Sequence, residues 1–205
     1  MDIYLLTEEI NENAESIMDS LREESVAVYV FLYKEFLKGD VTLNPIFQFV
    51  YRSFYRLDNA GLTPEFKTAY FELMQQYRNE TSINPVEIVN KLYSYKRRKG
   101  DYSIQFSFTT KMINMIDPTY PIYDSEVARV FQFSTYHLKD NAKKIARYLD
   151  QQNTIVQTYN KIIEENLLAQ SLAVFHNKYK KYDLPLIKKL DFIFWSYGKL
   201  LKSRS

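Results

Sequence analysis

Three prolines, each directly preceded by a side chain that can cap a helix, set the main constraint on this chain. The pairs are Asn44-Pro45, Thr63-Pro64 and Asn84-Pro85. Asparagine and threonine accept backbone hydrogen bonds at a helix start. Proline is tolerated in the first helical turn, because the N–H that it lacks would have no partner there. Three such starts in close succession predict a bundle of short helices joined by tight turns.

Hydrophobic periodicity predicts helices along the remainder of the chain. These helices cover residues 8–22, 26–39, 46–57, 167–179 and 186–201. The apolar face of the third is defined by Ile46, Phe49, Val50, Ser53 and Phe54.

A longer amphipathic helix starts at Asp140 or Asn141, and Gln151-Gln152-Asn153 is a candidate break within it. No internal repeat, low-complexity run or long strand pattern is present, and only 4 glycines and 6 prolines argue against a turn-rich β architecture. The predicted fold class is all-α.

Composition excludes several kinds of chemistry. The chain has no cysteine, which rules out disulfides, thiolate zinc sites, cysteine nucleophiles and cysteine-ligated iron–sulfur clusters. Its two histidines, His137 and His176, lie far apart in sequence and are too few for most metal sites. We therefore expect no metal and no other cofactor.

Charge and hydropathy bear on partners and location. The formal net charge is +2, so a nucleic-acid partner would require a local basic site. Acidic residues lie near the N-terminus, where a signal peptide has basic ones, and no apolar run reaches the length of a membrane span. A cytoplasmic protein with no membrane partner is the expectation.

The segment over residues 105–133 carries the candidate chemistry. Its pattern predicts the end of an apolar helix with Lys111, a tight connection over residues 117–121, and a new helix opened by Asp124. Lys111 lies between Phe108-Thr109-Thr110 and Met112-Ile113. A lysine attacks only as the neutral amine, and desolvation by apolar neighbours favours that form. The alternative is a lysine that extends its ammonium from an amphipathic helix into water.

Asp124 likewise has two interpretations. Directly before an apolar-periodic run, its carboxylate is expected to accept backbone N–H bonds as an N-cap. A carboxylate held ionised at a helix start is also the group that would stabilise a cationic sugar.

The order of these residues resembles the active-site segment of the helix-hairpin-helix DNA glycosylases and their apurinic-site lyases, including the 8-oxoguanine-type enzymes. Lys111 matches the family's lysine, and residues 121–130 match its aspartate signature, with Asp124 at the aspartate. The resemblance implies an all-α, two-lobed fold with a cleft near residues 105–130. It also implies that Lys111 forms a Schiff base at C1′ of a damaged nucleotide or abasic site in DNA, while Asp124 stabilises the sugar cation.

A basic run precedes this segment. Lys96, Arg97, Arg98 and Lys99 would contact DNA phosphates, or they would only complement the dipole at the end of the preceding helix. A second interpretation of the whole chain is a non-catalytic helical module of the same fold that binds nucleic acid or a partner protein. The near-zero net charge and the glycine-free run over residues 106–110 favour this second interpretation.

Overall fold

The structure is a computed structural model that describes residues 2–134 and 138–204, so that His137 lies outside the described part. Across these two ranges the chain is all-α, as predicted, with eleven α-helices and no β-strand. The helices are α1 Ile3–Glu12, α2 Ala14–Ser20, α3 Glu23–Lys38, α4 Pro45–Phe54, α5 Pro64–Gln76, α6 Pro85–Tyr93, α7 Phe106–Ile116, α8 Ser125–Val130, α9 Asn141–Glu164, α10 Ala169–Tyr179 and α11 Leu186–Arg204.

The chain divides into two compact units. Unit 1 combines both ends of the sequence, Met1–Ala27 and Thr119–Ser205, and unit 2 is the continuous segment Val28–Pro118. Unit 1 contains α1, α2 and α8–α11, whereas unit 2 contains α4–α7. Helix α3 crosses the boundary: its residues up to Ala27 belong to unit 1, and those from Val28 belong to unit 2.

The three cap-plus-proline pairs all start helices of unit 2, which confirms the prediction. In each pair the polar side chain accepts a backbone N–H from the first turn. The bonds run from Phe47 N to Asn44 Oδ1 (2.9 Å), from Phe66 N to Thr63 Oγ1 (3.3 Å) and from Val86 N to Asn84 Oδ1 (3.0 Å).

The face that α4 buries differs from the apolar face in the sequence pattern. Phe47 and Tyr51 are fully buried, whereas Ile46 and Phe49 remain 66% and 63% exposed. Tyr51 lies against the ring of Phe71, with centroids 5.6 Å apart, in the aromatic core of unit 2. Both faces of α4 are apolar, so periodicity alone does not decide which of them faces the core.

The segment predicted as one helix over residues 8–22 forms two helices, α1 and α2, and α1 begins earlier than predicted, at Ile3. Asp2 caps α1 through bonds from the backbone N–H groups of Tyr4 and Leu5, which extends the helix toward the N-terminus. At the junction with α2, the Asn13 side chain donates to the Glu9 carbonyl at 2.8 Å. That bond satisfies a carbonyl at the helix end and stabilises the interruption there.

The predicted break within α9 does not occur. Gln151 and Gln152 lie inside the helix, and both are buried. The Gln152 amide donates to the Pro121 carbonyl at 2.8 Å, and the Gln151 carbonyl oxygen accepts from the Tyr123 hydroxyl at 2.9 Å. The two glutamines thus fix the segment that leads into α8.

Helices α8 and α11 pack closely against each other in unit 1. A Cβ added at Gly198 of α11 would lie 2.2 Å from the Glu126 carbonyl oxygen of α8, a distance that no real Cβ contact shows. Glycine therefore permits this contact, because it has no side chain. Helix α10 packs on the N-terminal helices, where Lys178 Nζ donates to the Met18 carbonyl at 2.8 Å.

No helix in the described residues is both long enough and apolar enough to span a bilayer.

Candidate active site

The start of α7, the helix of Lys111, is fixed by a buried chain of hydroxyl groups. The Tyr70 hydroxyl donates to the Phe108 carbonyl at 2.8 Å, and it lies 2.8 Å from the Tyr51 hydroxyl. Because a phenol has one proton to donate, Tyr51 must be the donor in the second bond. Burial raises the pKa of both tyrosines, so they remain neutral donors.

Lys111 lies half-buried on α7 beside aromatic rings. Its Nζ is 5.2 Å from the centroid of Phe108 and 5.8 Å from that of Tyr55. One helical turn earlier, the Ser107 hydroxyl lies 3.1 Å from Nζ. A hydroxyl accepts from an ammonium and donates to a neutral amine, so this bond can persist in both protonation states. These contacts hold the side chain against α7.

Asp124 is the N-cap of α8, as predicted. Its Oδ1 accepts the backbone N–H of Glu126 at 2.9 Å and that of Val127 at 3.1 Å. Both bonds use the same oxygen, and within residues 2–134 and 138–204 the second oxygen, Oδ2, accepts no hydrogen bond. The side chain is half-buried. Capping therefore uses one of the two carboxylate oxygens.

A buried ion pair that was not predicted from the sequence lies on α11. Lys188 Nζ is 3.7 Å from Asp191 Oδ2, and the side chains are only 3% and 4% exposed. The other oxygen of Asp191 accepts the Ile122 N–H at 3.1 Å, two residues before Asp124. One signal could have revealed the pair: Asp191 falls on the apolar stripe of α11, three positions before the buried Phe194.

Burial brings the pKa of Asp191 close to neutral pH. Desolvation raises the pKa of this carboxyl to about 7, although Lys188 and the Ile122 N–H both act to lower it. The Asp124 carboxylate contributes to the increase. The pKa of the buried Tyr159 hydroxyl on α9 lies well above its ordinary value. Burial is the main cause, and the charges of Asp191 and Asp124 add to it.

The basic run forms a turn and not a helix end. Helix α6 ends at Tyr93, so the predicted position at its C-terminus is wrong, and Lys91 is the basic residue of its last turn. Arg97 pairs with Asp101, and the Gly100 N–H donates to the Arg97 carbonyl at 2.8 Å. A φ of +84° at Gly100 closes this turn.

Three of the four cations in this turn are exposed. They are Lys96, Arg98 and Lys99, whereas Arg97 is half-buried in its pair with Asp101. The Arg98 backbone N–H donates to the Gly61 carbonyl at 2.8 Å, which joins the turn to the loop before α5. The three exposed cations therefore lie on a turn whose backbone is held by hydrogen bonds.

The structure places the predicted residues in two groups. Lys111 and residues 96–99 belong to unit 2, and Asp124 belongs to unit 1 together with Lys188 and Asp191. Among the described side chains there is no group of three or more His, Asp or Glu residues that could hold a metal ion, and His176 is exposed on α10.

Comparison of the chain with protein-family models, with curated proteins and with solved structures gives no match.

Proposed function

We propose that the protein acts on abasic sites or damaged nucleotides in DNA through an imine formed by Lys111. The observation that carries the proposal is the unequal use of the Asp124 carboxylate, with Oδ1 capping α8 and Oδ2 free of hydrogen bonds among the described residues. An N-cap that also serves a cationic reaction centre requires this arrangement. The likeness of residues 105–133 to the glycosylase segment supports the same chemistry.

The proposed reaction starts from the neutral Lys111 amine. Its lone pair attacks C1′ of the ring-opened abasic sugar, and the carbinolamine then loses water to give a protonated imine. On an intact damaged nucleotide, the same attack would displace the base, which leaves with the electrons of the C1′–N bond and takes up a proton. The C1′–O4′ bond then opens, with a proton passing to O4′, and gives the same protonated imine. Loss of the C2′ proton to water or to the displaced base then allows the C3′–O bond to break, and the 3′ phosphate leaves with the electrons of that bond.

The roles of the side chains follow from their surroundings. Phe108 and Tyr55 limit hydration of the amine, and Ser107 keeps it directed along α7. In the glycosylase segment that residues 105–133 resemble, the aspartate stabilises the positive charge that develops at the sugar, and Asp124 would take this role through Oδ2. Lys96, Arg98 and Lys99 would contact phosphates, while Arg97 maintains their turn through Asp101.

Reductive trapping tests the proposal. The protein is incubated with a duplex that contains one natural abasic site, cyanoborohydride is added, and the covalent adduct is measured on a denaturing gel. We expect an adduct with the natural protein and little or none with Lys111→Ala. Lys34→Ala, which removes an exposed lysine of α3, is the matched control and should leave the adduct unchanged. Absence of an adduct with the natural protein, or an equal yield with Lys111→Ala, would overturn the proposal.

Exposure of Lys96, Arg98 and Lys99 favours a second candidate, a helical module that binds nucleic acid without catalysis. A binding titration at several salt concentrations separates the two functions. Binding that weakens with salt, without an adduct, would indicate this module. Each cation that contacts a phosphate should contribute about 0.9 to the slope of log affinity against log salt. Replacement of Lys99 by Ala should therefore reduce the slope by about one.

A further inference from the structure

The residues that carry Asp124 are held by side chains that lie far from them in sequence. The Pro121 carbonyl accepts from Gln152 of α9, and the Ile122 N–H donates to Asp191 of α11. The supporting bonds measure 2.8 Å and 3.1 Å, and all four residues are buried. Both bonds reach the backbone within three residues of Asp124.

The Ile122 bond is the most demanding of these contacts. A buried backbone N–H without an acceptor is costly, and within the described residues Asp191 is its acceptor. Asp191 is itself held by Lys188, whose ammonium lies 5.1 Å from the centroid of Phe192. The acceptor of the Ile122 N–H is therefore the buried Asp191 carboxyl, whose other oxygen, Oδ2, pairs with Lys188.

Three ionisable groups face Asp191. They are Lys188 on its own helix, Asp124 at the start of α8 and the Tyr159 hydroxyl of α9. Burial brings the pKa of Asp191 to about 7, so that its charge changes near neutrality. An ionised carboxylate accepts the Ile122 N–H more strongly than a protonated carboxyl does.

From this geometry we infer that Asp191, assisted by Gln152, is a positioning residue for Asp124: it fixes the Ile122 amide and thereby the direction of the Asp124 carboxylate. The inference rests on the proposed function for its catalytic consequence, because only there does Asp124 face a reacting sugar. Asp191 is only 4% exposed, so it acts through the backbone and not by contact with substrate.

Two substitutions separate positioning from general stability. Asp191→Asn keeps an oxygen that can accept the Ile122 N–H but removes the charge, whereas Asp191→Leu removes the acceptor. Asp183→Asn makes the same chemical change at an exposed aspartate just before α11 and is the matched control.

The first measurement is independent of activity. Amide hydrogen exchange is followed at Glu126 and Val127, whose N–H groups bind Asp124 Oδ1. Asp191→Leu also breaks the buried pair with Lys188, so exchange at these two amides is compared with exchange at Tyr70 in unit 2. The two amides should accelerate about tenfold more than Tyr70, a further loss of about 1.4 kcal/mol of local protection. Asp191→Asn should restore most of the protection. Unchanged exchange in Asp191→Leu would overturn the inference, as would equal acceleration at Tyr70.

The second measurement is the rate of cyanoborohydride trapping between pH 6 and pH 8. We expect Asp191→Leu to slow adduct formation by about tenfold to hundredfold, the loss typical of a displaced catalytic group. The ratio of the Asp191→Asn rate to the natural rate should decrease as pH rises, because only the natural protein gains the charge. A constant ratio would contradict the role of the charge.

The two proposals fail in different ways. If the natural protein forms no adduct, the proposed function fails, while hydrogen exchange still decides whether Asp191 positions Asp124. If the adduct depends on Lys111 but exchange at Glu126 and Val127 is unaffected by Asp191→Leu, the positioning inference alone fails.

Discussion

The Lys188 ammonium lies 3.7 Å from the Asp191 carboxylate at a depth where neither side chain exposes more than 4% of its surface. The two residues are one helical turn apart on α11, so the helix itself sets their spacing. Attraction between the charges offsets a large loss of hydration only when both partners are present. This dependence makes the pair more sensitive to loss of one member than to loss of both.

Replacement of Lys188 by Met should therefore destabilise the protein by about 3–5 kcal/mol at pH 8, where Asp191 is ionised. The double variant Lys188→Met, Asp191→Leu should recover much of that loss, because no unpaired charge remains. Denaturant unfolding of the natural protein, both single variants and the double variant gives the coupling free energy. A double variant as unstable as the sum of the single variants would contradict the pairing.

Stability should also depend on pH through Asp191. Its pKa is raised in the folded state to about 7, above the ordinary value of about 3.9 for an unfolded chain. Between these values the folded state binds more protons, so the contribution of Asp191 to the free energy of unfolding falls as pH rises from about 4 to about 7.

Asp191→Asn removes this contribution. The difference in unfolding free energy, natural protein minus Asp191→Asn, should thus decrease between pH 5 and pH 8. Chemical denaturation at several pH values measures it, with Asp183→Asn as the control that should show a constant difference.

Gly198→Ala should reverse the usual effect of this substitution in a helix. Alanine normally stabilises a helix interior by about 0.5–1 kcal/mol relative to glycine. Here the new Cβ would meet the Glu126 carbonyl oxygen at 2.2 Å, and backbone on α8 cannot rotate away as a side chain could. We expect a loss of about 3 kcal/mol. Gly39→Ala meets no atom within 4 Å and should change stability by no more than about 1 kcal/mol.

The two faces of α4 provide a matched pair of aromatic substitutions. Phe47 is fully buried and Phe49 is 63% exposed, although the two lie on the same helix. Phe47→Ala should cost about 3–5 kcal/mol, whereas Phe49→Ala should alter stability by no more than about 0.5 kcal/mol. Thermal unfolding of both variants tests the orientation. Similar losses for the two would contradict this orientation, and a larger loss for Phe49→Ala would show that α4 buries the face defined by the sequence pattern.

The sequence predicts the features of this fold that depend on near neighbours. Asn44 and Asp124 bind backbone groups within three residues, so their cap roles are visible in the sequence. The orientation of α4 and the continuity of α9 depend on residues far along the chain. Gln152, for example, is stabilised in its helix by the carbonyl of Pro121. Without knowledge of this distant hydrogen-bond partner, the polar residues 151–153 look like an interruption of the helix.

The same distinction applies to the candidate site. The sequence predicts Lys111 and Asp124 as candidates because a lysine in an apolar run and an acid at a helix start are local patterns. Asp191 and Lys188 were missed because a charged pair on a helix is usually solvated, and only burial gives it importance. The Ser107 hydroxyl next to Lys111 follows from i,i+4 spacing and could have been predicted.

The order of the two units along the chain has a consequence for biosynthesis. Asn11 of α1 donates to the carbonyl of Leu167, which lies 156 residues further along. At the usual rate of translation, of about 5–20 residues per second, α1 waits on the order of ten seconds for this partner. Unit 2 is continuous and is synthesised completely within that interval. Helix α1 should therefore become protected only after the helices of unit 2, which pulsed proteolysis of stalled nascent chains would measure.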